Sequence, residues 1–390
     1  MRVLHVTTTL NPASGGPTEG LKQLAIQTMA LGHTVEIATL NDANAPWLQG
    51  YPVAVHALGQ PYNSYYYSTQ LLPWLRAHVH QYDAVIAHGL WQYPSFAVWR
   101  SLRNSNTPYF VFTHGMLGPW FKFTYPLKHL KKWLYWPWAE YRVLRDARAV
   151  LFTCEEERKL ARQSFWLYHC KEVVTGFGIT PPPGDPETLK TLFLDRFPGL
   201  RDKRLILFLG RIHPVKGCDL LIKAFAEVAA QDGSLHLLMS GPDQSGWQTQ
   251  LTALSTRLGI DERITWTGML SGESKWGAYH AAEVFALPSH HENFGVVVAE
   301  ALACGVPVLI SNKVNIWREI EADGAGLVDD DDLTGTIRLL QRWLLTTPEQ
   351  QQKIRHKALV CFYKHFEISS AVSNLLSAIT PTADTSRETA

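Results

Sequence analysis

The chain has 390 residues, 46% hydrophobic and 18% charged, and its 36 Lys and Arg against 35 Asp and Glu leave a formal net charge of +1. That balance gives no bulk attraction to nucleic acid, which is excluded as an expected partner, and the length exceeds one ordinary core. Cys154, Cys170, Cys218, Cys304 and Cys361 show neither zinc-ligand nor disulfide-framework spacing. No stretch reaches the roughly 18–20 apolar residues of a membrane span, and the leading apolar run is far too short for a signal peptide. The expectation is a cytoplasmic protein, at most peripheral on the inner face of the plasma membrane.

Residues 3–7 read as a short apolar strand, followed by the loop Ser14-Gly15-Gly16-Pro17 and the helical spacing of Leu21, Leu24, Ala25 and Met29. Pro17 suits a first helical turn. No Gly-x-Gly-x-x-Gly is present, so the loop is not a dinucleotide fingerprint. Strands follow at 35–38, 84–87, 109–112 and 149–152, separated by helical patterns, which means a mostly parallel sheet covered on both faces. His88 and His114 stand just beyond two of these strands. Each is either a buried, hydrogen-bonded structural histidine or part of a site at the sheet edge. In 121–138, Lys122, Lys128, Lys131 and Lys132 are mixed with Phe121, Phe123, Tyr125, Trp133, Tyr135, Trp136 and Trp138. Such a stretch is either a core helix with solvated lysines or a seat for peripheral association with an anionic membrane.

Pro181-Pro182-Pro183-Gly184-Asp185-Pro186 reads as extended chain. The pattern then restarts, with strands at 205–209, 235–239, 264–266, 284–287 and 308–310 and a helix over 220–230. The fold class is therefore α/β: a Rossmann-like domain over 1–180, a linker region over 181–200, a second Rossmann-like domain over 201–361, a C-terminal helix over 362–379 and a disordered tail over 380–390. Open α/β sheets bind ligands at the carboxyl ends of their strands. There the second half places Gly210-Arg211 and, before Gly217, Lys216, two cations suited to a diphosphate. Asp329-Asp330-Asp331-Asp332 precedes a helical pattern and reads as a helix N-terminus rather than a metal site.

Glu292 and Glu300 are the most informative pair. Glu292 lies in the loop before a helix and Glu300 about two turns into it, on either side of a helix start whose free N–H groups suit an anion. Cations for a diphosphate and acids for hydroxyls together describe a nucleotide sugar. With Phe294-Gly295 between the acids and Ala301-Leu302-Ala303-Cys304-Gly305-Val306-Pro307-Val308 after them, the segment resembles the Glu-x7-Glu element of retaining, GT-B-fold glycosyltransferases of family 4, the glycosyl transferases group 1. The resemblance runs from the Gly-Gly loop to Glu319. One departure is Thr175-Gly176-Phe177-Gly178-Ile179, where the family commonly has an Asn-Gly-Val-Asp-like element.

The resemblance implies a GT-B fold of two Rossmann-like domains facing a cleft, with the last helix returning to the N-terminal domain. It implies an NDP-sugar donor, a saccharide or lipid-linked saccharide acceptor, and no metal or other cofactor. The implied catalytic residues are Arg211, Lys216, His114 and Glu292. The implied donor-binding residues are Gly15, Gly16, Gly210, Arg211, Lys216, Gly241, Met269, Leu270, Glu292, Asn293, Phe294, Gly295, Val296 and Glu300. A nucleotide-sugar epimerase of the same fold and a non-catalytic sugar-nucleotide or glycan-binding protein are the alternatives.

Overall fold

A computed structural model describes residues 1–380, apart from the side chains of Phe121 and Phe123. The chain forms two compact units, Met1–Gly178 joined by the segment from Ile368, and Ile179–Glu367.

The first unit is built on seven parallel strands, β1 (Arg2–Thr7), β2 (Thr34–Thr39), β3 (Ala54–Ala57), β4 (Ala84–His88), β5 (Tyr109–Phe112), β6 (Ala149–Phe152) and β7 (Glu172–Val174), in the order β3-β2-β1-β4-β5-β6-β7. Its helices are α1 (Gly16–Ala30), α2 (Leu71–His78), α3 (Tyr93–Leu102), α4 (Trp120–Thr124), α5 (Pro126–Tyr135), α6 (Glu140–Arg145) and α7 (Glu155–Ala161). Alternation along the strands feeds two cores. Leu4, Val6, Val85, Ala87 and Val111 pack with Leu71, Leu75, Ala97 and Val98 on one face, while Val3, Ala84, Ile86, Phe110 and Phe112 pack with Leu24 on the other.

The second unit holds six parallel strands, β8 (Arg204–Leu209), β9 (Leu235–Ser240), β10 (Ile264–Gly268), β11 (Val284–Leu287), β12 (Val308–Ser311) and β13 (Gly326–Asp329), in the order β10-β9-β8-β11-β12-β13. Around them lie α8 (Pro186–Arg196), α9 (Cys218–Ala229), α10 (Gln248–Arg257), α11 (Gly272–Ala281), α12 (Val296–Ala303), α13 (Trp317–Asp323), α14 (Leu333–Leu344) and α15 (Pro348–Cys361). In each sheet the order reverses once, between β1 and β4 and between β8 and β11. Strand connections leave in opposite directions there, which opens a ligand crevice at the carboxyl edge.

The stretch 181–200 is not a linker. Asp185 caps α8 by accepting from the Thr188 N–H at 2.9 Å, and Pro186 occupies the first turn, where a missing N–H costs nothing. Leu189 and Phe193 are buried against α11, so close that a Cβ on Gly277 would lie 2.3 Å from the Leu189 carbonyl oxygen. The helix expected over 362–379 is also two elements. A π turn over Phe362–Phe366 buries both phenylalanines in the second unit, and α16 (Ile368–Ile379) follows. Ile368, Val372, Leu375 and Ile379 complete the first unit's core beside Val3 and Phe110. Apart from Thr380, the tail expected over 380–390 lies outside the described residues.

Candidate active site

The second-unit candidates all lie at the carboxyl edge of its sheet. Gly210 and Arg211 leave β8, Gly241 leaves β9, and Met269 and Leu270 leave β10; Glu292, Asn293, Phe294 and Gly295 lead from β11 into α12, whose first residue is Val296. Arg211 is exposed and makes no ion pair among the described residues. Lys216 is buried, and its ammonium pairs with the Glu292 carboxylate. The loop after β8 and the loop after β11 are locked together. Val215 O accepts from Ser289 Oγ at 2.9 Å and the His290 N–H at 2.8 Å. Gly217 sits at φ 67 with Pro288 O only 2.2 Å from where a Cβ would be, so no side chain fits. Gly241, at φ 143, closes on β8 in the same way: its Cβ would lie 1.7 Å from Gly210 O.

Glu292 has a fixed backbone. Its N–H donates to Lys313 O and its carbonyl accepts from the Asn315 N–H, each at 3.0 Å. Gly295 opens α12 with no side-chain cap, so helix N–H groups face the same edge as the Lys216 ammonium. The Phe294 ring is core, edge-on to Phe366 with centroids 5.7 Å apart. Leu270 is buried, whereas Met269 is exposed. Glu300 is buried and held from both sides: Lys275 Nζ lies 2.6 Å from Oε1, and the Tyr279 hydroxyl donates to Oε2 at 2.9 Å. Burial and this carboxylate hold the Tyr279 hydroxyl far above its ordinary pKa.

In the first unit Gly15 and Gly16 form the uncapped start of α1, with open space around Gly15. His114 does not stand alone. Its Nε2 lies 2.9 Å from His88 Nδ1, and His88 Nε2 lies 2.8 Å from His5 Nδ1. Burial pulls His5 down to about 3 and His88 well below its ordinary value; it takes His114 to about 4 against the opposing Glu157 carboxylate. All three rings are thus neutral at neutral pH. A neutral imidazole has one N–H, so both hydrogen bonds must run in the same direction, and the tautomer of His114 is tied to that of His5. His88, with both nitrogens engaged, is a link in this chain. His114 is itself at φ 47, held there by Glu157, which accepts from Thr113 Oγ1 at 2.6 Å and the Gly115 N–H at 2.5 Å.

Residues 194–360 match the family described as glycosyl transferases group 1, and residues 15–169 match the glycosyl transferase 4-like domain. In these two stretches the chain is similar to the group 1 and 4-like glycosyl transferases. The D-inositol 3-phosphate glycosyltransferase of Mycolicibacterium smegmatis is 36% identical over 156 residues, 39% of this chain and 34% of that protein. The protein of the same name from Salinispora tropica is 33% identical over 172 residues, 42% of this chain and 36% of its own. The chain spans about a third of the length of these curated relatives. Sucrose-phosphate synthase from Thermosynechococcus elongatus shares the fold at 20% identity and a TM-score of 0.76, over 96% of this chain and 97% of that one. HepE from Anabaena, solved in complex with UDP and glucose, does so at 17% and 0.77, over 98% and 100%. The fold is GT-B, with two Rossmann-like parallel-sheet units.

In this chain, sequence reasoning missed His5, Lys275 and Tyr279. Lys275 and Tyr279 are four apart on α11 and so share a face, a spacing that pairs them with Glu300 only once the fold is known. His5 inside the apolar β1 carries no local signal. Phe177, where the family's hinge element departs, fills space above Gly20, whose Cβ would lie 1.9 Å from the ring, and meets His114 edge-on. Among the described residues one trio has metal-ligating side chains close together, Asp323, Cys361 and His365. Its carboxylate is already bonded by Lys364 at 2.7 Å and His365 at 2.9 Å, and it includes no candidate site residue.

Proposed function

We propose that this chain transfers a sugar from a nucleoside diphosphate donor to a hydroxyl of a saccharide or lipid-linked saccharide in glycan biosynthesis, retaining the anomeric configuration without a metal. The observation that carries this reading is the Lys216–Glu292 pair at the β8/β11 reversal, beside exposed Arg211 and the uncapped start of α12. An arriving diphosphate competes with Glu292 for the Lys216 ammonium, and Arg211 with the α12 N–H groups supplies further donors. Glu292, once displaced, accepts from donor-sugar hydroxyls. Glu300, held by Lys275 and Tyr279, accepts from the ribose diol.

In the transfer the bond from anomeric carbon to phosphate oxygen breaks, and its electron pair leaves on the diphosphate, where Arg211 and Lys216 stabilise it. The acceptor oxygen bonds to the same face of the anomeric carbon, and its proton passes to the departing phosphate oxygen. In the first unit Gly15, Gly16 and His114 lie at the carboxyl edge of the sheet, and the reading keeps Gly15 and Gly16 for the donor and His114 as a catalytic, neutral hydrogen-bonding group. HepE is solved with UDP-glucose as well as with UDP, which supports a nucleotide-sugar donor here.

The test is proton NMR of the product formed from nucleotide sugar and an acceptor panel in chelator. A product with the donor's anomeric configuration is expected. An inverted product, a metal requirement, donor conversion without acceptor, or tight donor binding with no turnover on any acceptor would each overturn it.

A further inference from the structure

The helix α5 buries none of its residues, so within 121–138 the reading as a core helix fails for 126–135. Leu127, Leu130 and Leu134 recur at helical spacing along one face, and Trp133 adjoins them. These side chains stand in solvent, Leu127 at 78% and Leu134 at 65% exposure, and Trp138 just beyond stands at 72%. A second segment extends the face. Trp166 stacks on Trp133 with centroids 5.8 Å apart, and exposed Leu167 follows at φ 61, a left-handed backbone that non-glycine residues seldom adopt. Beneath, Trp136 is buried, stacked on Phe165, and donates from its indole to Trp166 O at 3.1 Å, so the patch is mounted rigidly on the core.

Lysines flank the patch on α5 itself, whereas Arg158 and Arg162 of the second segment are paired with Glu155 and Glu172. From Met116 to Ala139 the sequence has four lysines and no acid, and from Arg158 to Lys171 it has Arg158, Lys159, Arg162 and Lys171 and again no acid. On the α5 wheel Lys131, Lys128 and Lys132 follow directly on the leucine arc. Lys128 and Lys131 are exposed, and Lys132 lies 4.7 Å over the Trp91 ring.

We propose that the face formed by α5, Trp138, Trp166 and Leu167 docks on an anionic lipid bilayer, with its leucines and tryptophans in the headgroup boundary and its lysines on the lipid phosphates. An interfacial helix needs this division into an apolar face rich in Leu and Trp and a basic flank, and tryptophans favour that depth because they are apolar with one polar edge. A protein partner would have to place acids of its own opposite the exposed Lys128 and Lys131; a bilayer rich in acidic lipid does so everywhere. The proposal is independent of the reading of the transfer site, since it uses none of those residues.

The test is co-flotation of the full chain with phosphatidylcholine vesicles, with and without phosphatidylglycerol, at low and physiological salt. Binding to the anionic vesicles that weakens with salt is expected. Lys128→Glu with Lys131→Glu should lower the partition coefficient on anionic vesicles by on the order of tenfold or more. Leu127→Glu with Leu134→Glu should abolish binding, with the melting temperature unchanged because both side chains are exposed. A wild-type chain that stays with the soluble fraction overturns the proposal, as does undiminished binding of the Leu127→Glu, Leu134→Glu protein. Self-association without vesicle binding would assign the face to a second copy and equally overturn it.

Discussion

If Lys216 must release Glu292 to take a diphosphate, removing the carboxylate changes two affinities in opposite directions. The pair is only partly shielded, with side-chain exposures of 11% for Lys216 and 19% for Glu292. It therefore falls between exposed pairs, worth up to about 1 kcal/mol, and buried ones, which cost about 3–5 kcal/mol to break. About 1–2 kcal/mol is the appropriate range. Glu292→Gln should then tighten binding of the free nucleoside diphosphate by roughly 5–30-fold, because competition for the ammonium is gone. The nucleotide sugar gains the same term but loses charged hydrogen bonds from Glu292 to its hydroxyls, worth about 1.5–3 kcal/mol. Wild-type preference for the sugar-bearing ligand over the bare diphosphate should consequently fall by roughly 10–150-fold. Isothermal titration of both ligands against wild type, Glu292→Gln and the Lys216→Met, Glu292→Gln double variant measures this, the double variant having lost the gain. A Glu292→Gln protein that binds the diphosphate no tighter than wild type refutes the competition.

Three further predictions concern stability. Lys275→Met strands the buried Glu300 charge and should lower the melting temperature by several degrees, for a cost of about 2–3 kcal/mol; adding Glu300→Gln should restore part of it, and a thermal-shift double-mutant cycle without coupling contradicts the contact. Glu140 is buried, accepting the Trp91 N–H at 2.7 Å, and burial pushes its carboxyl up to about 8 against that hydrogen bond and Lys132. The folded chain thus holds a proton there that the unfolded chain has lost above about pH 4.5, so stability should decline as pH rises toward 8. Glu140→Gln should flatten that decline in melting curves taken from pH 5 to 8. The neutral His5–His88–His114 chain acts at the other end. The unfolded histidines take up protons below about 6.5 while the folded ones do not, so stability should fall as pH drops from there toward 4. Ring-nitrogen NMR should show three neutral imidazoles at pH 6, and titration of any of them near 6.5 contradicts the buried chain.

Much of the fold was legible because parallel strands covered on both faces read as unbroken apolar runs, as in 84–87 and 284–287. The strands that gave no such signal, β3, β7 and β13, lie at sheet edges with no fully buried residue. The Glu292-to-Glu300 element was legible because loop and helix are contiguous in sequence. The partners of its carboxylates come from elsewhere: Lys275 and Tyr279 lie on another helix, and the lock between the loops at 215–217 and 288–290 is made by one carbonyl, Val215 O, taking the Ser289 hydroxyl and the His290 N–H. His114 reads as one residue in sequence, whereas its tautomer is tied through His88 to His5, more than a hundred positions away. The helix α8 was hidden by prolines that normally end helices and here begin one.

The most direct measurement of the central claim is hydrogen exchange across the chain with and without a nucleotide sugar. The account predicts slowed exchange in 210–217 and 288–300, the two loops and the start of α12 that hold Arg211, Lys216, Glu292 and Glu300. Donor binding with exchange unchanged in both segments would contradict it.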